Sequence, residues 1–525
     1  MDFGTDQLLL DVADYVVGFE VESAEAMKTA RYCVNDVLGT CACRPNRRGG
    51  GASRARRRTQ THAAAPPRRR ATNDAGITAL NSPECTKLLG PVVPGQTVPH
   101  GAHVPGTDYY LDPVQAAFNI GTCKAWGEYS DSWQGADWIS PSDTIAAILA
   151  VAEYLSSLRL AKGFPALTVR EVLIGVTKAY EVCGILATDN ALNQVGVESA
   201  LFVKVAATSV CTRMLGGGRR EVISAASQAF VDGSGLRCYR HFPNVGTRKA
   251  WCAGDTASRA VFLALLTMRG EMGYPLVLSA PVWGFNDVYH RRASLNVSRD
   301  YGTYIIENVV FKVSFPGDVH AQTAMEVALR LHPQVVHRVD EVLSITIYTS
   351  RSTIRTIDKT SPLRNPSDRE TCLQYCVAVS LLYGTVTVDH FSDAVAQDPR
   401  IDELRSRMTV RETPQFSSDY VDPEKMSLAS AIQVHFKDRT STSRLEAEYP
   451  LGHRRRRLEC FPALEKKLMM NLSSRMPATR ATKLFETCMN PQHLDKLSVP
   501  EFLELFCEPP PNHVLTFGGE RLVTL

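Results

Sequence analysis

Ser140-Pro-Ser-Asp-Thr-Ile-Ala-Ala-Ile-Leu-Ala-Val-Ala-Glu-Tyr-Leu-Ser-Ser-Leu-Arg-Leu160 is the stretch on which the fold turns. Ile145, Ile148, Leu149, Ala152 and Leu155 recur at the three- and four-residue spacing of one helix face. At its head Ser140 reads as the N-cap, Pro141 as the first helical residue and Asp143 as the side chain reaching back. A helix over 142–160 follows.

The same period extends in both directions. Upstream it predicts a helix over 22–39; downstream it predicts helices around 168–185, 197–215, 219–231 and 254–268. The character changes near residue 305. Val309-Val-Phe-Lys-Val-Ser-Phe315 and Val342-Leu-Ser-Ile-Thr-Ile-Tyr348 alternate like strands and bracket an amphipathic helix over 321–332. A helix over 369–383, a strand at 432–436, a turn at Lys437-Asp438 and a returning strand near 443–449 complete a compact α+β module. Helical pattern resumes over 460–506, and the residues from Pro509 on read as a loose tail. The fold class is therefore mostly α with an α+β module set into it.

A chain of 525 residues exceeds the size at which one core stops growing, so two domains are expected. Formal charge is +3, yet residues 44–73 alone hold ten arginines and no acidic residue, which leaves −7 for the remainder. This tract reads as a disordered linker. It lacks the interleaved aromatics of a nucleic-acid arm, so no nucleic-acid partner is expected. No stretch approaches the roughly 18–20 consecutive apolar residues that span a bilayer. The acidic start Met1-Asp-Phe-Gly-Thr-Asp has the marks of neither a secretory signal nor a transit peptide, and a cytoplasmic location is the expectation. Fourteen cysteines contain no C-x-x-C pair, the spacing an iron-sulfur cluster requires, and read as scattered core thiols.

Several long phrases resemble the MmgE/PrpD family, and within it the 2-methylcitrate dehydratase branch. They are Cys85-Thr-Lys-Leu-Leu-Gly-Pro91, Leu111-Asp-Pro-Val-Gln-Ala-Ala-Phe-Asn-Ile-Gly121, Tyr239-Arg-His-Phe-Pro-Asn-Val-Gly-Thr-Arg-Lys249, Ala253-Gly-Asp-Thr-Ala-Ser-Arg259, Gly270-Glu-Met-Gly-Tyr-Pro275 and Ala280-Pro-Val-Trp-Gly-Phe285. The resemblance implies a large all-helical domain from both chain ends, 1–304 (with a disordered Arg-rich insert over 44–79) and 446–508. It implies an inserted α+β lid over 305–445, a flexible tail over 509–525, a homodimer, and an active site between body and lid that needs no metal or organic cofactor.

Dehydrating a 2-alkylcitrate removes a weakly acidic C–H beside a carboxylate and expels a tertiary hydroxyl. A base, an acid and cations for three carboxylates are required. Residues 237–259 supply cations: Arg237, Arg240, His241, Arg248, Lys249 and Arg259. By the resemblance, Lys249 falls on the family's active-site lysine, with Arg248, Arg240 and His241 as substrate-binding neighbours. The family's acidic loop reads Trp126-Gly-Glu-Tyr-Ser-Asp-Ser132 here. Glu128 and Asp131 stand at its acidic positions, and Ser132 replaces a threonine. Ser140 replaces the catalytic histidine before proline, Ser199 a second histidine, and Tyr180 occupies a third position. Serine transfers no proton near neutral pH without an activating partner. The acid and base are therefore sought among Glu128, Asp131, Tyr180, His241 and His320, with Gln322 as a neutral partner.

Three functions are weighed: dehydration of a 2-alkylcitrate in specialised metabolism, with serines enlarging the pocket for a longer alkyl arm; decarboxylation of a cis-aconitate-like acid; and carboxylate binding without catalysis, motivated by the missing histidines.

Overall fold

The computed structural model describes residues 4–41, 79–241, 243–474 and 476–507. Residues 44–78 of the Arg-rich insert and the 509–525 tail lie outside the described residues. Residue 79 opens a short 3-10 turn, Ala79–Asn81.

The chain is mostly helical, as its periodicity requires. Helix α1 spans Gln7–Gly18, α2 Ala24–Cys41, α3 Pro113–Ala125, α4 Asp143–Ala161, α5 Val169–Asp189, α6 Ala200–Met214, α7 Arg219–Val231 and α8 Arg248–Met268. Local chemistry sets several of these starts. Asp112 accepts from the backbone N–H groups of Val114 and Gln115 ahead of Pro113, and Thr168 with Glu171 forms a capping box at α5. Helix α4 is long and apolar enough to cross a membrane, but most of it is buried in the core. Helix α8 begins six residues before the expected 254.

Apolar packing separates two cores. The larger gathers residues from 9 to 313 and again from 460 to 506, so the two chain ends share one interior. The smaller gathers residues from 321 to 436. It is built on a four-stranded sheet of β1 Val342–Thr349, β2 Met408–Glu412, β3 Ser430–Phe436 and β4 Leu445–Ala447, in the order β2-β1-β3-β4. β1 pairs parallel with β2 and antiparallel with β3, whose far edge carries β4. Helices α9 Gln322–Val335 and α10 Leu373–Tyr383 supply the apolar side chains that bury it.

Two expectations are corrected. The strand read over 309–315 does not form. Val310 exchanges backbone hydrogen bonds with Ser132, and Phe311 N–H bonds the carbonyl of Gly452, so the segment's polar groups go to loops on either side. Ser140 is not the N-cap of α4. The helix begins at Asp143 after a turn in which Ser140 C=O accepts from Asp143 N–H, and no side chain caps it.

One glycine contact sets the positions of two lysines. α3 and α8 pack so closely that a Cβ on Gly121 would lie 2.8 Å from Cα of Gly254, and one on Gly254 would lie 2.3 Å from the Phe118 carbonyl oxygen. Lys124 and Lys249 sit at the adjoining ends of this pair. Gly254→Ala forces backbone apart because the carbonyl cannot rotate away. The expected cost is about 3 kcal/mol, read as a lowered midpoint in denaturant titration.

Candidate active site

The loop after α3 aims an acid into a cleft. Gly127 and Glu128 both adopt left-handed backbone, φ 91° and 51°. For glutamate this is a strained conformation, held by a backbone bond from Gly317 N–H to the Glu128 carbonyl at 3.3 Å. The turn projects Glu128 into a cavity of about 170 Å³ where the two cores meet. The first turns of α4, α6 and α8 contribute Asp143, Ala200 and Lys249 to its wall. Three positive helix ends thus converge on one space, an arrangement that favours anions.

Five cations among the described residues line it: Lys124, Arg237, Arg240, Lys249 and Lys312. Each is already paired. Lys249 Nζ bridges Glu128 and Glu370, both at 2.9 Å, and Lys312 Nζ bonds the other Glu128 oxygen at 3.0 Å. Arg240 bonds Glu198 at 2.7 Å, Arg237 approaches the same carboxylate at 3.4 Å, and Lys124 pairs with Asp143.

Burial and these partners push the carboxyl groups apart. Burial opposes ionisation of Glu128, yet Lys249 and Lys312 overcome it and hold the group well below the usual carboxylate range. Arg240 and Arg237 do the same for Glu198. Glu370 goes the other way: burial, with Glu128 beside it, raises it despite Lys249. Burial likewise raises Asp143, and pushes Asp137 up to about 6. Lys249 stays a cation because Glu128 and Glu370 outweigh its burial. The carboxyls most ready to take a proton are thus Glu370, Asp143 and Asp137.

One imidazole faces the cavity. His320 is buried, its Nδ1 lies 2.8 Å from Asp318 Oδ1 and its Nε2 3.2 Å from the Tyr420 hydroxyl, and Trp138 packs edge-on against the ring at 5.1 Å. Burial resists ionisation of Asp318, but His320 holds it far below the usual range. A histidine oriented by a buried carboxylate is a competent proton acceptor.

Of the residues singled out from sequence, Glu128, Ser132, Ser140, Ser199, Arg237, Arg240, Lys249 and His320 line this cavity. Asp131 and Tyr180 lie behind its wall. The Tyr180 hydroxyl donates to Asp131 Oδ2 at 2.7 Å and the Ser142 hydroxyl to Oδ1 at 2.6 Å, a fully buried cluster that ties α5 to the start of α4. Arg248 points away, as adjacent helix positions must. Its guanidinium stacks on Trp251 at 4.1 Å and pairs with Asp255 at 3.2 Å beside a second recess. His241 is exposed and off the wall, and Gln322 donates to the Phe315 carbonyl at 3.1 Å at the start of α9.

Sequence reasoning missed Lys124, Asp143, Glu198, Lys312, Asp318 and Glu370. Lys312 carried a signal: a lysine inside the apolar run 309–315 must find a buried partner. Glu370 carried none.

Comparison with known proteins matches the MmgE/PrpD N-terminal domain over residues 72–298 and the MmgE/PrpD C-terminal domain over 315–490. The chain is 44% identical over 504 residues, 95% of its length and 97% of the other's, to a 2-methylcitrate dehydratase of Escherichia coli (strain K12). It is 40% identical, over 96% of itself and 90% of the relative, to a mitochondrial 2-methylcitrate dehydratase of Yarrowia lipolytica. It is 33% identical, over 96% of each, to the 2-methylcitrate dehydratase-like protein oryR of Aspergillus oryzae. On matches this long and collinear, with the cation-lined cleft between its two cores, the chain belongs to the MmgE/PrpD family.

Proposed function

We propose that this protein is a hydro-lyase that removes water from a 2-alkylcitrate to give the corresponding alkylaconitate, without a cofactor. The reading rests on relatives named for dehydration of 2-methylcitrate and on one observation above the others: Lys249 bridging Glu128 and Glu370 on the wall of a cavity rich in paired cations. In this reading the smaller core is a lid, and the Lys249–Glu370 pair is a latch across the cleft.

The substrate's carboxylates bind at Lys312, Arg240 and Lys124 in place of the internal carboxylates paired there. His320 Nε2 accepts the proton from the carbon beside a carboxylate, and the C–H electron pair becomes the new double bond. The tertiary C–O bond breaks, and its oxygen leaves as water with a proton from Lys249; after product release the proton on His320 returns to Lys249 through solvent. Atoms and charge balance with no further reactant.

Ser140 and Ser199 share one side of the wall with Trp138, Ile139 and Val203. Short and apolar side chains there make room for an alkyl arm longer than methyl, as specialised metabolism would use. Each methylene buried contributes about 0.8 kcal/mol, so kcat/KM is expected to rise about fourfold per carbon until the recess fills. Purified protein offered citrate, 2-alkylcitrates of graded chain length and cis-aconitate, with products followed by mass spectrometry, tests this. A maximum at methyl removes the longer-arm reading. Carbon dioxide from cis-aconitate replaces dehydration by decarboxylation, and tight binding without turnover of any acid leaves a carboxylate-binding protein.

A further inference from the structure

The hydrogen bonds around His320 decide where its ring proton sits. The indole of Trp138 can only donate, and its Nε1–H bonds the Tyr420 oxygen at 2.7 Å. The Asp318 carboxylate can only accept, so Nδ1, 2.8 Å from its Oδ1, carries the ring proton. The Tyr420 oxygen that accepts from Trp138 still has its own hydrogen to give, and His320 Nε2 at 3.2 Å is an acceptor in reach.

We propose that Tyr420 is the positioning residue that, by donating to Nε2, orients the His320 ring whose Nδ1–H is held by Asp318 and so aims Nε2 as its basic nitrogen. The kinetic part of this inference rests on the hydro-lyase reading above; the hydrogen bond to Nε2 does not. Tyr420 closes the helix Pro414–Val421, next to the smaller core, and its backbone carbonyl accepts from Gln134 Nε2 at 3.0 Å. Gln134 and Trp138 belong to the hairpin on the opposite side of the cleft. Tyr420 is thus held against both sides of the cleft, through Trp138 and Gln134 on one and His320 on the other. Of the three bonds in the chain from Trp138 to Asp318, that to Nε2 is the longest, so it is the one exchanged for the substrate's C–H. Tyr420 also lines a separate cavity that includes Gln134 and Trp133.

The test is the 15N spectrum of histidine-labelled full-length protein, with the His320 ring assigned by its loss in His320→Gln. Wild type is expected to show a ring protonated at Nδ1 with Nε2 accepting a hydrogen bond, and Tyr420→Phe a displaced Nε2 resonance. A wild-type ring protonated at Nε2, or a Tyr420→Phe spectrum unchanged at His320, overturns the proposal. In turnover, Tyr420→Phe is expected to lose about ten- to a hundredfold in kcat with KM within about twofold. A loss confined to KM, or none, also overturns it. Should wild type turn over no 2-alkylcitrate, the hydro-lyase reading fails while the hydrogen bond to Nε2 still stands or falls on the spectrum.

Discussion

Replacing Lys249 by alanine is expected to lower kcat/KM on the best 2-alkylcitrate by about 10³-fold, the scale on which a buried charge-stabilising donor acts. Arg248→Ala, one residue away, is expected to stay within about threefold, because an exposed pair contributes little. The difference follows from helix geometry. Lys249 enters the cavity with a side chain 6% exposed, whereas Arg248, 40% exposed, lies on Trp251 outside it. Steady-state kinetics of the two variants decide the point, and equal losses would remove Lys249 from the centre of the site. Stability carries a second signature. Glu128 is held below its unfolded value by Lys249 and Lys312 against burial, so its pairing stabilises the fold above the usual carboxylate pKa and is lost as pH falls through the depressed one. Lys249→Ala removes much of that contribution. The gap in Tm between variant and wild type is therefore expected to be widest near neutral pH and to close on acidification.

His320→Gln is expected to lower kcat by about 10²- to 10⁴-fold with little change in KM, the range for loss of a general base. Glutamine preserves polarity and much of the volume between Trp138 and Asp318 while offering no basic nitrogen. A KM effect would mark His320 as a binding group, and the family's usual bases cannot cover for it, because Ser140 and Ser199 stand where imidazoles are expected. Full activity in this variant would transfer the proton step to one of the raised carboxyls, Glu370 first among them.

Much of this molecule is legible without coordinates. The helices over 142–160, 168–185 and 219–231 follow from periodicity and caps, because these depend on residues a few positions apart. The strands at 342–348 and 432–436 follow from alternation; Lys249 was singled out within a collinear phrase, Glu128 from the acidic loop, and His320 as one of the remaining acid/base candidates. Failures came where a distant group outbid the local one. Ser140 has every local mark of an N-cap, but the start of α4 is arranged around Asp131 and Ser142 instead. Val309–Phe315 alternates like a strand, but Ser132 and Gly452 take its backbone bonds and its lysine is drawn in to Glu128.

Sequence by itself determined the mostly helical class, the α+β module within it and the family, and it singled out Lys249, which lines the cavity. Only the tertiary structure decided that Arg248 faces out, that Asp131 and Tyr180 stand behind the wall, and that Glu370, 121 residues from Lys249 in the chain, is its partner. The reason is physical: helix and strand periods are set by neighbouring peptides, whereas the charge a buried group keeps depends on which distant side chains the packing brings within 3 to 4 Å of it.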